Sequence, residues 1–207
     1  MNEERSQQPP PDDASELADF YVFPLTRGEA VWRCHRSAKG PWYFCANGDC
    51  RFDLESPNGT CYVAPRGVTA ILEVLRFVGK VIHKAELDLR SIAQLELHDD
   101  YTLADTVHTG AWLRGITREL SSIEDYSIPQ AWARKFRQAG FGGLRYWARH
   151  DSSPEGISYA LFGPMKGRPW QVEPSEPLDK KWILELEREA EVAVVGNPRF
   201  SDINIEA

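Results

Sequence analysis

The sequence predicts an α+β fold, because strands are expected at both ends of the core and helices are grouped between them. Strand signals are apolar runs bounded by turn residues, and helix signals are apolar residues repeating every three or four positions. Strands are predicted at residues 29–36, 59–65, 93–97, 143–149 and 157–163. Helices are predicted at residues 67–79, 111–120 and 127–139. This grouping differs from the regular alternation of a βαβ repeat.

Local signals support these elements one by one. The Pro57-Asn58-Gly59 turn leads into the second strand. In the first helix, Ile71, Val74, Leu75 and Val78 form an apolar stripe, and Glu73 lies at its edge. The segment Ser127-Ile-Pro-Gln130 has a capping-box pattern, and Gly140 provides a C-terminal stop.

Three regions are expected. Residues 1–15 are polar and Pro-rich, which predicts a disordered tail. Residues 16–164 form the core domain. Residues 165–207 form a C-terminal extension packed on or beside that core, with a helix around 180–190 and an edge strand at VAVV.

Composition excludes several classes of protein. The chain has 207 residues, with 24 Lys and Arg against 31 Asp and Glu and a formal charge of -7. A net-acidic chain is a poor non-specific nucleic-acid binder, since phosphate neutralisation needs clustered cations. No apolar run is long enough for a membrane span, and the acidic N-terminus is unlike a secretory signal. We therefore expect a soluble cytoplasmic protein.

The four cysteines favour buried, reduced thiols. Cys45 and Cys50 are the closest pair, whereas Cys34 and Cys61 stand alone on apolar segments. A structural zinc site would need two close pairs, each bent by a tight turn. No metal is expected.

Polar residues embedded in apolar segments are the candidates for chemistry. They are Arg33 in VWRC, Arg51 in CRF, Tyr62 in TCYV and Glu73 in AILEVL. Gly-rich dinucleotide loops, phosphate loops, HExxH and GxSxG are absent from the sequence. A buried Arg or Glu needs a partner, so internal Arg–Glu salt bridges are the structural alternative to an active site.

The same segments resemble the RES-domain family. VWR, CRF, GTCYVAPRGVTAILEVL, AGFGGLRYWARHD and ISYALFGP follow the family's order over roughly residues 30–164. The most specific part is Arg51…Tyr62…Glu73, with equal spacing between the three. The sequence departs from the family pattern at Asp49-Cys50, Phe52, Asp53 and Ala148, where the family has Gly-Gly, Trp, Asn and Ser.

The resemblance implies an ADP-ribosyltransferase-like fold and an enzyme that consumes NAD as substrate, often as the toxin of a toxin–antitoxin pair. Arg51, Tyr62 and Glu73 would be catalytic, with Glu73 the carboxylate that stabilises an oxocarbenium-like ribose. Arg33, Phe52, Ala148 and Ser152 would contact substrate. An Xre-type antitoxin or another inhibitor protein is the implied partner, and homo-oligomerisation is left open.

Three functions follow from this resemblance. The chain could degrade NAD by phosphorolysis or hydrolysis, with phosphate as co-substrate in the first case. It could instead transfer ADP-ribose to a protein through the same site. Because Ala148 lacks the hydroxyl of the family's serine, a third alternative is a non-catalytic module that binds NAD or a partner protein.

Overall fold

The computed structural model describes residues 7–75, 81–167, 170 and 174–196. Within these ranges the chain has the predicted α+β fold, with four α-helices and several sheets. The strands are β1 (Val22–Leu25), β2 (Ala30–Arg36), β3 (Tyr43–Phe44), β4 (Asn58–Val63), β5 (Val81–His83), β6 (Arg90–Glu96), β7 (Tyr101–Asp105), β8 (Gly143–Trp147), β9 (Ile157–Pro164), β10 (Lys166–Gly167), β11 (Glu176–Pro177) and β12 (Ala193–Val195). The helices are α1 (Gly67–Val74), α2 (Lys84–Asp88), α3 (Ser127–Gln138) and α4 (Lys180–Ala190).

Two sheets form the centre of the molecule. The five-stranded sheet has the order β1-β7-β8-β9-β4, in which β7 and β8 are parallel and the other pairs antiparallel. The three-stranded sheet has the order β11-β6-β2 and is antiparallel. A bridge between Trp32 and Ala64 joins β2 to the end of β4. Two short pairs, β10-β3 and β12-β5, lie outside these sheets.

Alternation along the strands divides the apolar core into clusters on different faces of the five-stranded sheet. On β8, Tyr146 packs into a cluster with Trp132 and Phe136 of α3. On β4, Tyr62 packs against that same cluster, whereas its neighbour Cys61 belongs to a second cluster shared with the three-stranded sheet. A third cluster holds α1 and α4 together.

The five predicted strands all form, with ends shifted by up to three residues. The prediction of one helix over residues 111–120 is wrong, because the segment forms two 3-10 helices, Ala111–Arg114 and Arg118–Ser121. Gly115 separates them with a φ of 81°, a left-handed conformation that ends a helix.

The capping box at Ser127 is also wrong, although α3 begins at the predicted residue. Ser127 is the first helical residue and Tyr126 is the N-cap. The Ser127 N–H donates to the Asp125 carboxylate at 2.9 Å, so the acid two residues upstream supplies the cap. Gly140 follows the helix with a φ of 95°, as its role as a stop requires.

The ends of the chain differ from expectation in part. Within the tail predicted to be disordered, the structure describes the chain from Gln7, whose side chain accepts from the Thr117 N–H at 2.9 Å and donates to the Gly115 carbonyl at 2.8 Å. Residues 1–6 lie outside the described residues, as do 76–80 at the end of the predicted first helix and 197–207. In the extension, α4 buries Trp182 and Leu186 against α1. Among the described helices, none has the length and apolarity to cross a membrane.

Candidate functional site

Glu73 is the central ionisable group, at the last turn of α1, and its carboxylate is buried although the residue as a whole is half-buried. The Tyr146 hydroxyl donates to its Oε1 at 3.0 Å, and the Arg149 backbone N–H also lies close to the carboxylate, while Oε2 is buried and accepts no hydrogen bond of normal geometry from the described residues. Burial raises the pKa of Glu73 to about 7, against the lowering effects of the Tyr146 hydrogen bond and the Arg51 charge. This carboxylate therefore exchanges its proton near neutral pH, and one of its oxygens is left for a ligand.

Two arginines place positive charge near this carboxylate and lower its pKa. Arg51 is only 8% exposed, and its guanidinium lies 5.0 Å from the centre of the Tyr126 ring. Arg149 acts on Glu73 through both its backbone N–H and its side-chain charge, and both lower the carboxyl pKa. None of the ion pairs within the described residues includes Arg51 or Glu73. The internal Arg–Glu salt bridge of the structural alternative is therefore not formed there.

Tyr62 is fixed by hydrogen bonds at its hydroxyl. That hydroxyl donates to Asp53 Oδ1 at 2.9 Å and accepts from the Phe52 N–H at 2.9 Å. Asp53 is buried, and its second oxygen accepts from the Cys50 N–H at 3.2 Å. The Asp that replaces the family's Asn thus points at Tyr62 and orients the ring.

Phe52 does not line the site as the sequence predicts. It is 0% exposed and packs edge-on against Tyr146, with 4.7 Å between the ring centres. An aromatic ring without an accessible face cannot stack on a substrate. The role that the contacts support is to hold Tyr146 in place beside Glu73.

A small recess joins Glu73 to Tyr62 and to Ser158, which the sequence analysis did not single out. Ser158 is 1% exposed and pairs with Tyr146 across β8 and β9. Its hydroxyl lies near the Tyr146 hydroxyl but makes no hydrogen bond of normal geometry with the described residues. The signal was present in the sequence, since Ser158 is a polar residue in the apolar run ISYALFG. A buried hydroxyl without a hydrogen bond of normal geometry, beside a carboxylate, is a candidate contact for a ligand.

Arg33 lies apart from these groups, contrary to the prediction that it contacts substrate with them. Its guanidinium donates to the Tyr43 carbonyl at 2.9 Å and to the Cys61 thiol. Cys61 and Tyr62 pack on opposite faces of the five-stranded sheet, so Arg33 is separated from Tyr62 by the sheet itself.

The other predicted contacts, Ala148 and Ser152, line a larger cleft of about 480 Å³ at the end of β8. Arg149 also lines this cleft, so it borders both the cleft and the Glu73 carboxylate. The cleft wall is tied to α1, because the Thr69 hydroxyl donates to Asp151 Oδ2 at 2.5 Å. Thr69 stands one helical turn before Glu73, and this bond fixes the loop relative to the carboxylate.

The four cysteines, Cys34, Cys45, Cys50 and Cys61, form no disulfide in the structure. Burial raises the pKa of the Cys34 and Cys50 thiols to about 12, so both are neutral. Across the described ranges, no three His, Cys, Asp or Glu side chains are grouped as metal ligands.

Comparisons with known proteins identify the fold and the family of this chain. A comparison with solved structures matches the crystal structure of the M. tuberculosis MbcT-MbcA toxin-antitoxin complex with a TM-score of 0.65 and 14% sequence identity. That match covers 86% of this chain and 98% of the other, which shows a shared fold. The comparison with curated protein sequences found no match. The family model described as RES domain matches residues 30–182, which is most of the chain and extends beyond residue 164, and the chain therefore belongs to the RES domain family.

Proposed function

We propose that this chain is an NAD-degrading enzyme that cleaves the nicotinamide–ribose bond, with Glu73 as its catalytic carboxylate. The observation that carries the proposal is the buried Glu73 carboxylate, held at Oε1 by Tyr146 and accompanied by the charges of Arg51 and Arg149. Family membership supplies the substrate class, because RES domains act on NAD.

The chemistry needs a fixed negative charge next to the ribose. As the bond from ribose C1 to the nicotinamide nitrogen breaks, its electron pair moves to the ring, which leaves neutral, and the ribose becomes oxocarbenium-like. A preorganised carboxylate stabilises that positive charge. Since Tyr146 occupies Oε1, Glu73 Oε2 is the oxygen that faces the ribose.

The neighbouring groups have defined parts in this scheme. Tyr62, fixed through its hydroxyl, presents its ring to nicotinamide. Arg51 keeps a share of Glu73 ionised despite burial. A water or hydroxyl acceptor then forms the new C1–O bond and passes its proton to Glu73, whose pKa of about 7 suits a general base.

The test is nicotinamide release from NAD by the purified protein. Glu73→Gln should lose at least about 100-fold in rate. Glu187→Gln, which alters an exposed glutamate on α4, is the matched control and should keep the wild-type rate. Equal and measurable rates for wild type and Glu73→Gln would refute the catalytic role of Glu73. No nicotinamide release by either protein would refute the enzymatic function and favour the non-catalytic binding module.

Products formed with and without phosphate identify the acceptor. ADP-ribose indicates water, its 1″-phosphate indicates phosphate, and a labelled protein indicates ADP-ribosyl transfer. The same active site serves all three acceptors, so this measurement decides among reactions and leaves the role of Glu73 unchanged.

We also propose that the chain is the toxin of a toxin–antitoxin pair, because the solved structure that shares its fold is a toxin-antitoxin complex. The resemblance implies an Xre-type antitoxin as partner. Expression of the wild-type chain should arrest growth, and Glu73→Gln should not. Arrest by both variants would show that toxicity does not depend on NAD cleavage.

A further inference from the structure

The cleft at the end of β8 has a basic wall, although the chain as a whole carries a charge of -7. Its lining includes Arg118 from the second 3-10 helix and Arg149 from the loop after β8. Its volume of about 480 Å³ falls in the range of small-molecule sites.

Arg118 is held in place without a counter-ion. Its guanidinium lies over the Trp147 ring, 4.4 Å from the ring centre. Among the described residues, no carboxylate lies within ion-pair distance of it. Stacking on an aromatic ring fixes the plane of the guanidinium and leaves its N–H groups able to bind an anion.

Arg149 has a weak partner that an anion can replace. Its guanidinium lies 3.6 Å from Glu124, whose side chain is 90% exposed. Ion pairs of this exposed kind contribute little.

The acid in the cleft wall is held by hydrogen bonds. The Asp151 carboxylate is buried and accepts from the Thr69 hydroxyl at 2.5 Å and from the Ser153 N–H at 3.0 Å. Each of its oxygens thus has a neutral donor as partner, and neither forms an ion pair with Arg118 or Arg149. The remaining polar lining consists of hydroxyl groups, which donate to phosphate oxygens: Ser121, Ser122, Ser152 and Ser153.

We propose that this cleft binds the diphosphate of the dinucleotide substrate, with Arg118 and Arg149 as the phosphate-binding residues. The inference rests on the proposed function. It assigns phosphate binding to Arg118 and not to Arg33, which lies on the opposite face of the five-stranded sheet. Two guanidinium groups match the oxygens of a diphosphate. Arg149 borders both the cleft and the Glu73 carboxylate, so the proposal places the ribose end of the ligand on the Glu73 side of Arg149.

The direct test measures ADP binding by calorimetry, without any turnover. Wild type should bind ADP, and adenosine should bind much more weakly. Arg118→Gln should weaken ADP binding about tenfold or more, as loss of a charge-assisted hydrogen bond predicts. Arg27→Gln is the matched control, because Arg27 is an exposed arginine at the opposite end of the five-stranded sheet.

A kinetic test separates this site from the chemistry. Nicotinamide riboside carries the scissile bond but no phosphate, so Arg118→Gln should lower kcat/KM for NAD and leave that for the riboside unchanged. Equal loss on both substrates, or unchanged ADP affinity, would overturn the proposal. Inorganic phosphate that binds at Arg118 without competing with ADP would also overturn it, and would assign the cleft to a phosphate co-substrate.

The two proposals fail in different ways. If the protein binds ADP through Arg118 but does not cleave NAD, the proposed phosphate site stands and the proposed enzymatic function is refuted. If wild type and Arg118→Gln cleave NAD with the same KM, the proposed enzymatic function stands and the proposed phosphate site is refuted.

Discussion

Removal of the Tyr146 hydroxyl should shift the pH at which the enzyme becomes active. The hydroxyl donates to Glu73 Oε1 at 3.0 Å, and Tyr146 is itself buried. Tyr146→Phe keeps the ring that packs against Phe52 and deletes only the donor. The variant therefore tests the hydrogen bond separately from the packing.

The size of the shift follows from the strength of that bond. A hydrogen bond to a charged group contributes about 1.5–3 kcal/mol, and 1.36 kcal/mol corresponds to one pKa unit, so the pKa of Glu73 should rise by about one to two units. The wild-type pKa is about 7, and the proposed mechanism requires the ionised form. A shift of about one unit lowers the ionised fraction at pH 7.5 from about three quarters to about a quarter, a loss of about threefold.

The assay is kcat/KM for nicotinamide release between pH 5.5 and 9.5. The acid limb should lie near pH 7 in wild type and at higher pH in Tyr146→Phe, and the two profiles should converge on the alkaline side. Tyr159→Phe, at a buried tyrosine that packs on the other face of the sheet, is the matched control. An acid limb that stays in place or moves to lower pH would refute the assignment of Tyr146 as the group that positions and ionises Glu73.

Two further predictions concern the same carboxylate and its recess. Glu73→Gln should be more stable than wild type above pH 7, by at most about 3 kcal/mol. The pKa of Glu73 is about 7 in the folded state against 4.5 in the unfolded state, so wild-type stability falls as the pH rises between those values. Urea unfolding at pH 5 and pH 8 measures the difference in stability between the two proteins, and an equal difference at both pH values would contradict the prediction. Ser158→Ala should leave the Tm unchanged or raised, since the lost hydroxyl makes no hydrogen bond of normal geometry with the described residues, yet it should raise the KM for NAD if that hydroxyl binds the ribose. A lowered Tm with an unchanged KM would show that Ser158 is structural.

The sequence alone was sufficient for the fold class, and it also singled out the residues of the proposed site. Apolar periodicity located the strands and α3, because these elements bury one face and the pattern repeats along the chain. Arg51, Tyr62 and Glu73 stood out as polar residues within apolar runs. Burying such groups is energetically unfavourable, so their presence there indicates a structural pairing or a functional role. The sequence was less informative at residues 111–120, where Gly115 divides an apparently continuous helix.

Contacts between distant parts of the chain required the tertiary structure. Tyr146 is 73 positions from Glu73, and no local pattern reports that its hydroxyl reaches Oε1. Arg33, like Arg51, is a polar residue within an apolar run. Residues on a strand alternate between faces, however, and the Arg33 guanidinium contacts Cys61, on the face of the five-stranded sheet opposite to Tyr62.

The sequence by itself thus determined which residues are chemically unusual, since that depends on residue type and on the apolar character of the neighbours. Only the tertiary structure decided which of them act together. Burial sets the pKa of Glu73, the sheet separates Arg33 from Tyr62, and the loop after β8 brings Arg149 to the carboxylate. These are properties of three-dimensional distance and dielectric environment, which spacing along the chain does not encode.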